Sequence, residues 1–199
     1  MKREKNMPRI SALRIVSLTT FIFLAFFGVS QFGSKVSAQE TMERSGFWGG
    51  INIGIGSVQQ SFEGTEENQE RFFLGFEGGY TLSPNFLVGV ELSGWLIESS
   101  NLEDPSEGEG IMQAFLTTRC YPSSTMGLFA KIGGGYVSHW NNQPGEPGRE
   151  SGYGVTFGGG YDFPINKNFA ITPFINYSYW ETDDRNHDAW TFGIGLTMQ

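Results

Sequence analysis

From residue 47 onward the chain alternates large apolar positions with polar ones or glycine in eight stretches, the period of two that belongs to β-strands with two unlike faces. The first, Phe47 to Val58, sets Phe47, Ile51, Ile53 and Ile55 against Trp48, Gly50, Asn52, Gly54 and Gly56. The second, Arg71 to Leu82, sets Phe72, Leu74, Phe76, Tyr80 and Leu82 against Arg71, Phe73, Gly75, Glu77 and Thr81. The third, Phe86 to Ile97, sets Phe86, Val88, Val90, Leu92 and Leu96 against Gly89, Glu91, Ser93 and Trp95. The alternation recurs over Ile111 to Tyr121, Met126 to Trp140, Gly152 to Phe163, Phe169 to Trp180 and Trp190 to Met198.

Charge placement orients these strands. With each face assigned from its apolar residues alone, Glu77, Glu91, Arg119, Lys131 and Asp162 all fall on the other face. A water-soluble barrel would turn that face outward and the large apolar side chains inward. The size of the two faces speaks against this. A face of Gly, Thr, Ser, Asn and charge cannot fill a water-excluded apolar core. The opposite face is continuous, rimmed by aromatics and too large to leave in water. It is expected to meet lipid.

The links alternate in length. Those after the second, fourth and sixth stretches are short and contain Pro: Ser83-Pro84-Asn85, Pro122 to Thr125, and Pro164 to Lys167. The others, at 59–70, 98–110, 141–151 and 181–189, are longer and polar. Short turns at one end and long loops at the other are the pattern of outer-membrane barrels. Strands of about 10 residues at a tilt near 40° cover a ~25 Å apolar band. Closure leaves no open edge in hydrocarbon. The expected fold is an all-β, eight-stranded antiparallel up-and-down transmembrane β-barrel. Flanking aromatics supply girdles: Tyr80, Phe86, Tyr161, Phe163 and Phe169 at the turn end, and Phe72, Tyr153, Tyr179 and Trp190 at the loop end.

The segment ahead of the alternation has a different composition. Lys2, Arg3, Lys5, Arg9 and Arg14 precede an apolar run from Ile15 to Val29, and Val36-Ser37-Ala38 follows. Basic, apolar, then small is the order of a secretory signal, and the run is short of the about 20 residues a spanning helix needs. Residues 1–38 are therefore expected to be a signal peptide cleaved after Ala38, 39–46 a short periplasmic N-terminal segment and 47–199 the barrel domain. No Cys stands near the cleavage position, which excludes a lipoprotein anchor. The first 38 residues hold six basic residues and one acidic, so their removal takes the formal net charge from −8 to −13.

Composition narrows the function. A length of 199 residues suits one domain, and 15% aromatic with 17% charged residues argues against disorder. One Cys excludes a disulfide framework and a four-Cys zinc site. The acidic balance excludes nucleic acid as a partner. A mean hydropathy of −0.24 excludes a multi-helix membrane protein.

Three further features carry a family likeness: the recurring Gly78-Gly79-Tyr80, Gly134-Gly135-Tyr136 and Gly159-Gly160-Tyr161; the strand end Arg119-Cys120-Tyr121-Pro122; and the strand start Thr172-Pro173-Phe174. Over 45–199 the chain resembles the small outer-membrane β-barrel proteins of the OmpA/OmpX type. That resemblance implies the outer membrane of a Gram-negative bacterium. It also implies contact with outer-membrane lipid and lipopolysaccharide, and insertion by the barrel assembly machinery. Barrels of this type usually end in an aromatic residue, whereas this chain ends Leu196-Thr197-Met198-Gln199.

Eight strands enclose an interior just wide enough for side chains to fill. Glu77 and Glu91 flank the Ser83-Pro84-Asn85 turn symmetrically, and Arg119 and Lys131 flank the next short turn. One interior charge cluster of Glu77, Glu91, Arg119 and Lys131 is expected, near neutral in sum. A structural plug is the preferred reading, over a gate or binding site. Inward Gly residues leave space for Phe73, Trp95, Phe115, Phe129 and Phe174.

The long links are acidic: Glu63, Glu66, Glu67 and Glu70; Glu98, Glu103, Asp104, Glu107 and Glu109; Glu181, Asp183, Asp184 and Asp188. Divalent cations suit such carboxylates, but no EF-hand spacing is present, and a solvated surface is the simpler reading. A Ser–His catalytic pair is weighed at Ser138-His139 and at His187 with Ser99 or Ser100. Neighbouring strand residues point to opposite faces, so Ser138 and His139 do not pair simply, and both His residues are expected to be surface polar groups. The expectation is a monomeric, non-catalytic barrel without cofactor or metal site, serving envelope integrity or surface interaction through acidic loops. A lipid A-modifying enzyme and a narrow conduit for small hydrophobic molecules are the alternatives.

Overall fold

The computed structural model describes residues 43–62, 65–96, 109–141, 148–182 and 186–199. The expected signal peptide and most of the acidic-loop carboxylates, with Ser99 and Ser100, lie outside the described residues.

Nine strands form one antiparallel sheet: β1 Gly46–Phe62, β2 Thr65–Ser83, β3 Phe86–Leu96, β4 Glu109–Cys120, β5 Leu128–Asn141, β6 Gly148–Tyr161, β7 Phe163–Pro164, β8 Phe169–Thr182 and β9 Asn186–Met198. Each long strand pairs with the next along the chain. β1 also pairs with β9, and β6 with β8, which closes the sheet into a barrel of eight staves. The two-residue β7 is a stub that pairs with β8 beyond the break at Asp162. Among the described residues no helix is long and apolar enough to cross a membrane.

The two faces sort as the alternation requires. Ile51, Ile53, Phe76, Val90, Leu92, Leu116, Ile132, Phe157, Ile171, Ile194 and Leu196 are exposed on the outer wall. Glu77, Glu91, Arg119, Lys131 and Asp162 are buried in the lumen. An apolar wall this continuous belongs against acyl chains rather than water. Its rims carry ring pairs. Phe47 meets Tyr80 at 5.4 Å and Tyr161 meets Phe163 at 4.6 Å at the short-turn end, and Tyr177 meets Trp190 at 4.9 Å toward the loops.

Several strands run past the expected bounds. β1 and β2 continue their ladder as far as Phe62↔Thr65, β6 begins at Gly148, β8 reaches Thr182 and β9 starts at Asn186. Apolar alternation marks only the part of a strand that meets lipid. Beyond it the backbone groups still need partners, and polar residues keep the ladder going. The reverse holds at Met126, where the expected fifth strand gives way to an irregular turn that ends at Gly127. A Cβ at Gly127 would run into the Asp162 carbonyl, and the Asp162 N–H donates to the Gly127 carbonyl at 2.9 Å.

Candidate functional site: the filled lumen

The lumen is stacked in three layers whose order follows from positions along the strands. Nearest the short turns lie Trp48, Leu87, Tyr121 and Phe129. Toward the loops lie Val58, Phe73, Trp95, Ile111, Phe115, Val137, Trp180 and Ala189, with Phe174 packed against them. Between the two are the charges: on β3, Glu91 sits between Leu87 and Trp95, and on β5, Lys131 sits between Phe129 and Val137.

Register sets Glu77 opposite Glu91 and Arg119 opposite Lys131. Two carboxylates in such proximity need cations, and the second hairpin supplies them. Arg119 forms an ion pair with Glu77, and Lys131 one with Glu91 at 2.6 Å, every partner being buried. Neutral groups occupy further lone pairs. Asn52 donates to Glu77 at 2.8 Å, Ser93 donates to Glu91 at 3.0 Å, and Gln113 donates to Ser93 at 2.9 Å. Such supporting bonds are what let buried charge be tolerated.

A third carboxylate joins them. Asp162 is fully buried and lies 3.9 Å from the Arg119 guanidinium. It accepts from the Tyr121 phenol at 2.7 Å and from the Thr172 hydroxyl at 2.7 Å. Tyr121 lies past the end of β4, and burial pushes its phenol up, so it keeps the proton it donates. The Arg119 guanidinium also sits over the rings of Phe129 and Trp48, at 4.5 and 4.8 Å, so one side chain ties the charged layer to the aromatic one.

Arg44, ahead of the first strand, closes the short-turn end. Its guanidinium lies 3.6 Å from the Tyr121 ring centre. It donates to the carbonyls of Ser124 at 3.1 Å and Met126 at 2.7 Å in one turn, and reaches that of Pro84 in another at 3.5 Å.

The two histidines correct the expectation that they are surface groups. His139 and His187 are both buried, with ring centres 6.1 Å apart, and His187 stacks on Trp180 at 5.3 Å. Trp180 in turn stacks on Trp95 at 5.5 Å. The rings lie inside because inward parity continues along β5, β8 and β9 past the lipid-facing stretch. Ser138 points the other way and accepts from Arg149 Nε at 3.1 Å, so the adjacent Ser138 and His139 serve different faces. Among the described residues no group of three or more His, Cys, Asp or Glu is placed to hold a metal ion.

Sequence reading named the five strand charges. It did not connect Asp162 to the cluster, and it missed Asn52, Tyr121 and Arg44 as partners. Parity marks Asp162, Asn52 and Tyr121 as inward, whereas Arg44 precedes the alternation and leaves no such signal.

No family model matches the chain, and no curated protein does. Solved structures do. Neisserial surface protein A aligns with a TM-score of 0.58 at 14% identity, covering 77% of this chain and 97% of that one. Ail, the attachment invasion locus protein of Yersinia pestis, aligns with a TM-score of 0.50 at 18% identity, covering 77% and 99%. This is the fold of the small outer-membrane β-barrels. The lipid-facing wall of this chain agrees with that fold.

Proposed function

We propose that this protein is a non-catalytic outer-membrane barrel with a plugged lumen, serving envelope integrity or surface interaction through its acidic outer loops. One observation carries the reading: the ion-paired layer of Glu77, Glu91, Arg119 and Lys131 is bracketed by an apolar layer on each side. A conduit for water and ions would need a wetted path through Trp95, Phe115 and Trp180, each nearly inaccessible. The paired charges are then structural. They fix the register of β2–β3 against β4–β5 and fill the space that inward glycines leave. With the inside closed, contact with the surroundings falls to the outer wall and the loops. The two structural neighbours are named as a surface protein and an attachment invasion locus protein, which is consistent with work done at the exterior. Most of the loop carboxylates lie outside the described residues, and cation binding there is part of this proposal only through the composition of the loops. Insertion by the barrel assembly machinery and a monomeric state belong to the same reading.

Reconstitution into planar bilayers tests it. The expected record is silent at moderate voltage. Steady single-channel steps from the purified barrel would overturn the plug and favour a conduit. Loss of a lipid A-modifying turnover on His139→Ala or His187→Ala would favour an enzyme.

A further inference from the structure

The outer wall carries a groove of about 700 Å³ that runs across β3 to β6. Cross-strand register builds it from two rows: Leu92, Ala114 and Tyr136, and, nearer the loops, Met112 and Ser138. The small residues Ala114 and Ser138 make the floor, and Leu92, Met112 and Tyr136 rise on its sides. Trp140 crosses above, over Gly110, where a Cβ would collide with its ring.

Arg149 stands at the loop-side end. It pairs with Trp140 in register and donates its Nε to Ser138 Oγ at 3.1 Å. This fixes the plane of the guanidinium over the groove. Among the described residues no hydrogen bond uses its two Nη groups. It is also the only outward-facing cation described on the loop half of the wall. The outward-facing charges described elsewhere at that level, Glu70, Glu181 and Asp188, are acids on β2, β8 and β9.

We propose that this groove is a binding site for a phosphorylated lipid of the outer leaflet, with an acyl chain on the floor and a phosphate on the Arg149 Nη groups. It rests on the outer-membrane placement and is independent of whether the lumen conducts. A groove in a lipid-facing wall is filled from the bilayer, so its apolar floor selects a chain. A guanidinium held at the level of Trp140 lies where headgroups begin, and its remaining fork matches phosphate oxygens. The acids around the rest of the rim repel the same headgroup, which confines it to the β3–β6 side.

Native mass spectrometry of the refolded barrel, released from micelles containing diphosphoryl lipid A, reads the site directly. A lipid adduct is expected on the wild type. Its retention should fall about tenfold in Arg149→Gln, which removes the charge-assisted bonds, and by a like factor in Ala114→Phe, which fills the floor. Lipid A stripped of its phosphates should be retained as poorly as by Arg149→Gln. Retention unchanged in either variant overturns the proposal, and so does equal retention of the stripped lipid. Displacement of the lipid by millimolar inorganic phosphate would mean a site for the free anion and overturns it too. The heat-dependent gel shift of a folded barrel confirms that both variants are folded, and bilayer silence scores the plug separately.

Discussion

Lys131 on β5 reaches across the lumen to Glu91 on β3, and the 2.6 Å contact between Nζ and Oε2 ties together strands that are not sheet neighbours. Strand β4 lies between them, so the pair acts as a chord across the barrel rather than as a rung of its ladder. Removing Lys131 leaves the buried Glu91 carboxylate without its cation and facing the Glu77 carboxylate opposite it. Lys131→Met is therefore expected to cost about 3–5 kcal/mol, and Lys131→Met with Glu91→Leu to recover most of it, since an apolar pair carries no desolvation cost. Urea unfolding of the refolded barrel, followed by tryptophan emission, measures both. Equal destabilisation by the single and double variants would show that packing, not charge, holds the chord.

The aromatic layer depends on glycine for room. A Cβ at Gly56 would lie 2.5 Å from Trp95 Nε1 and 3.0 Å from Cδ1. The indole occupies the volume that any other residue at 56 would take. Gly56→Ala should cost about 1–3 kcal/mol, the range for overpacking a filled core, and Trp95→Phe in the same chain should return part of it. A double-mutant cycle by urea unfolding gives the coupling. Strict additivity would mean that the two sites do not meet.

How far the sequence discloses this molecule depends on how far parity runs. Between the girdles lipid enforces it, and Ile51, Phe76, Val90 and Leu196 identify the outer wall without any structure. Past the girdles both faces are polar. His139 and His187 then read as surface polar groups, although each keeps the inward parity of Val137 and Thr191 on its own strand. Pairing inside the lumen is less legible still. Parity tells which way Glu77 and Asp162 point, but the tilt of the staves decides that both meet Arg119. Arg44 belongs to no alternating stretch, and its partners are backbone carbonyls, which every sequence possesses.

Arg44 offers a local test of closure at the short-turn end. Its guanidinium gathers the carbonyls of Ser124 and Met126, and covers the face of Tyr121. Arg44→Ala should leave these acceptors unpaired and free the 121–127 turn. Charge-assisted bonds of this kind are worth about 1.5–3 kcal/mol, so amide exchange at Tyr121 and Met126 should quicken by about tenfold or more. Exchange in the strand centres of β1 and β9 should not change. Uniform acceleration across the barrel would make Arg44 a contributor to global stability instead of a latch.

The outer wall can be tested against its solvent. Ile194 is 57% exposed and pairs with Ile53 on one side and Pro173 on the other, well within the apolar band. In water, an arginine at so open a position would be almost neutral. In hydrocarbon it must snorkel or stay desolvated, and near the midplane that costs about 2–4 kcal/mol. Ile194→Arg in lipid vesicles, unfolded in urea, distinguishes the two. Arginine near the loop-side rim, at Phe72, should cost less because the headgroups are within reach of its side chain. A graded loss from Ile194 to Phe72 is the signature of a bilayer, and no loss at Ile194 would contradict a lipid-facing wall.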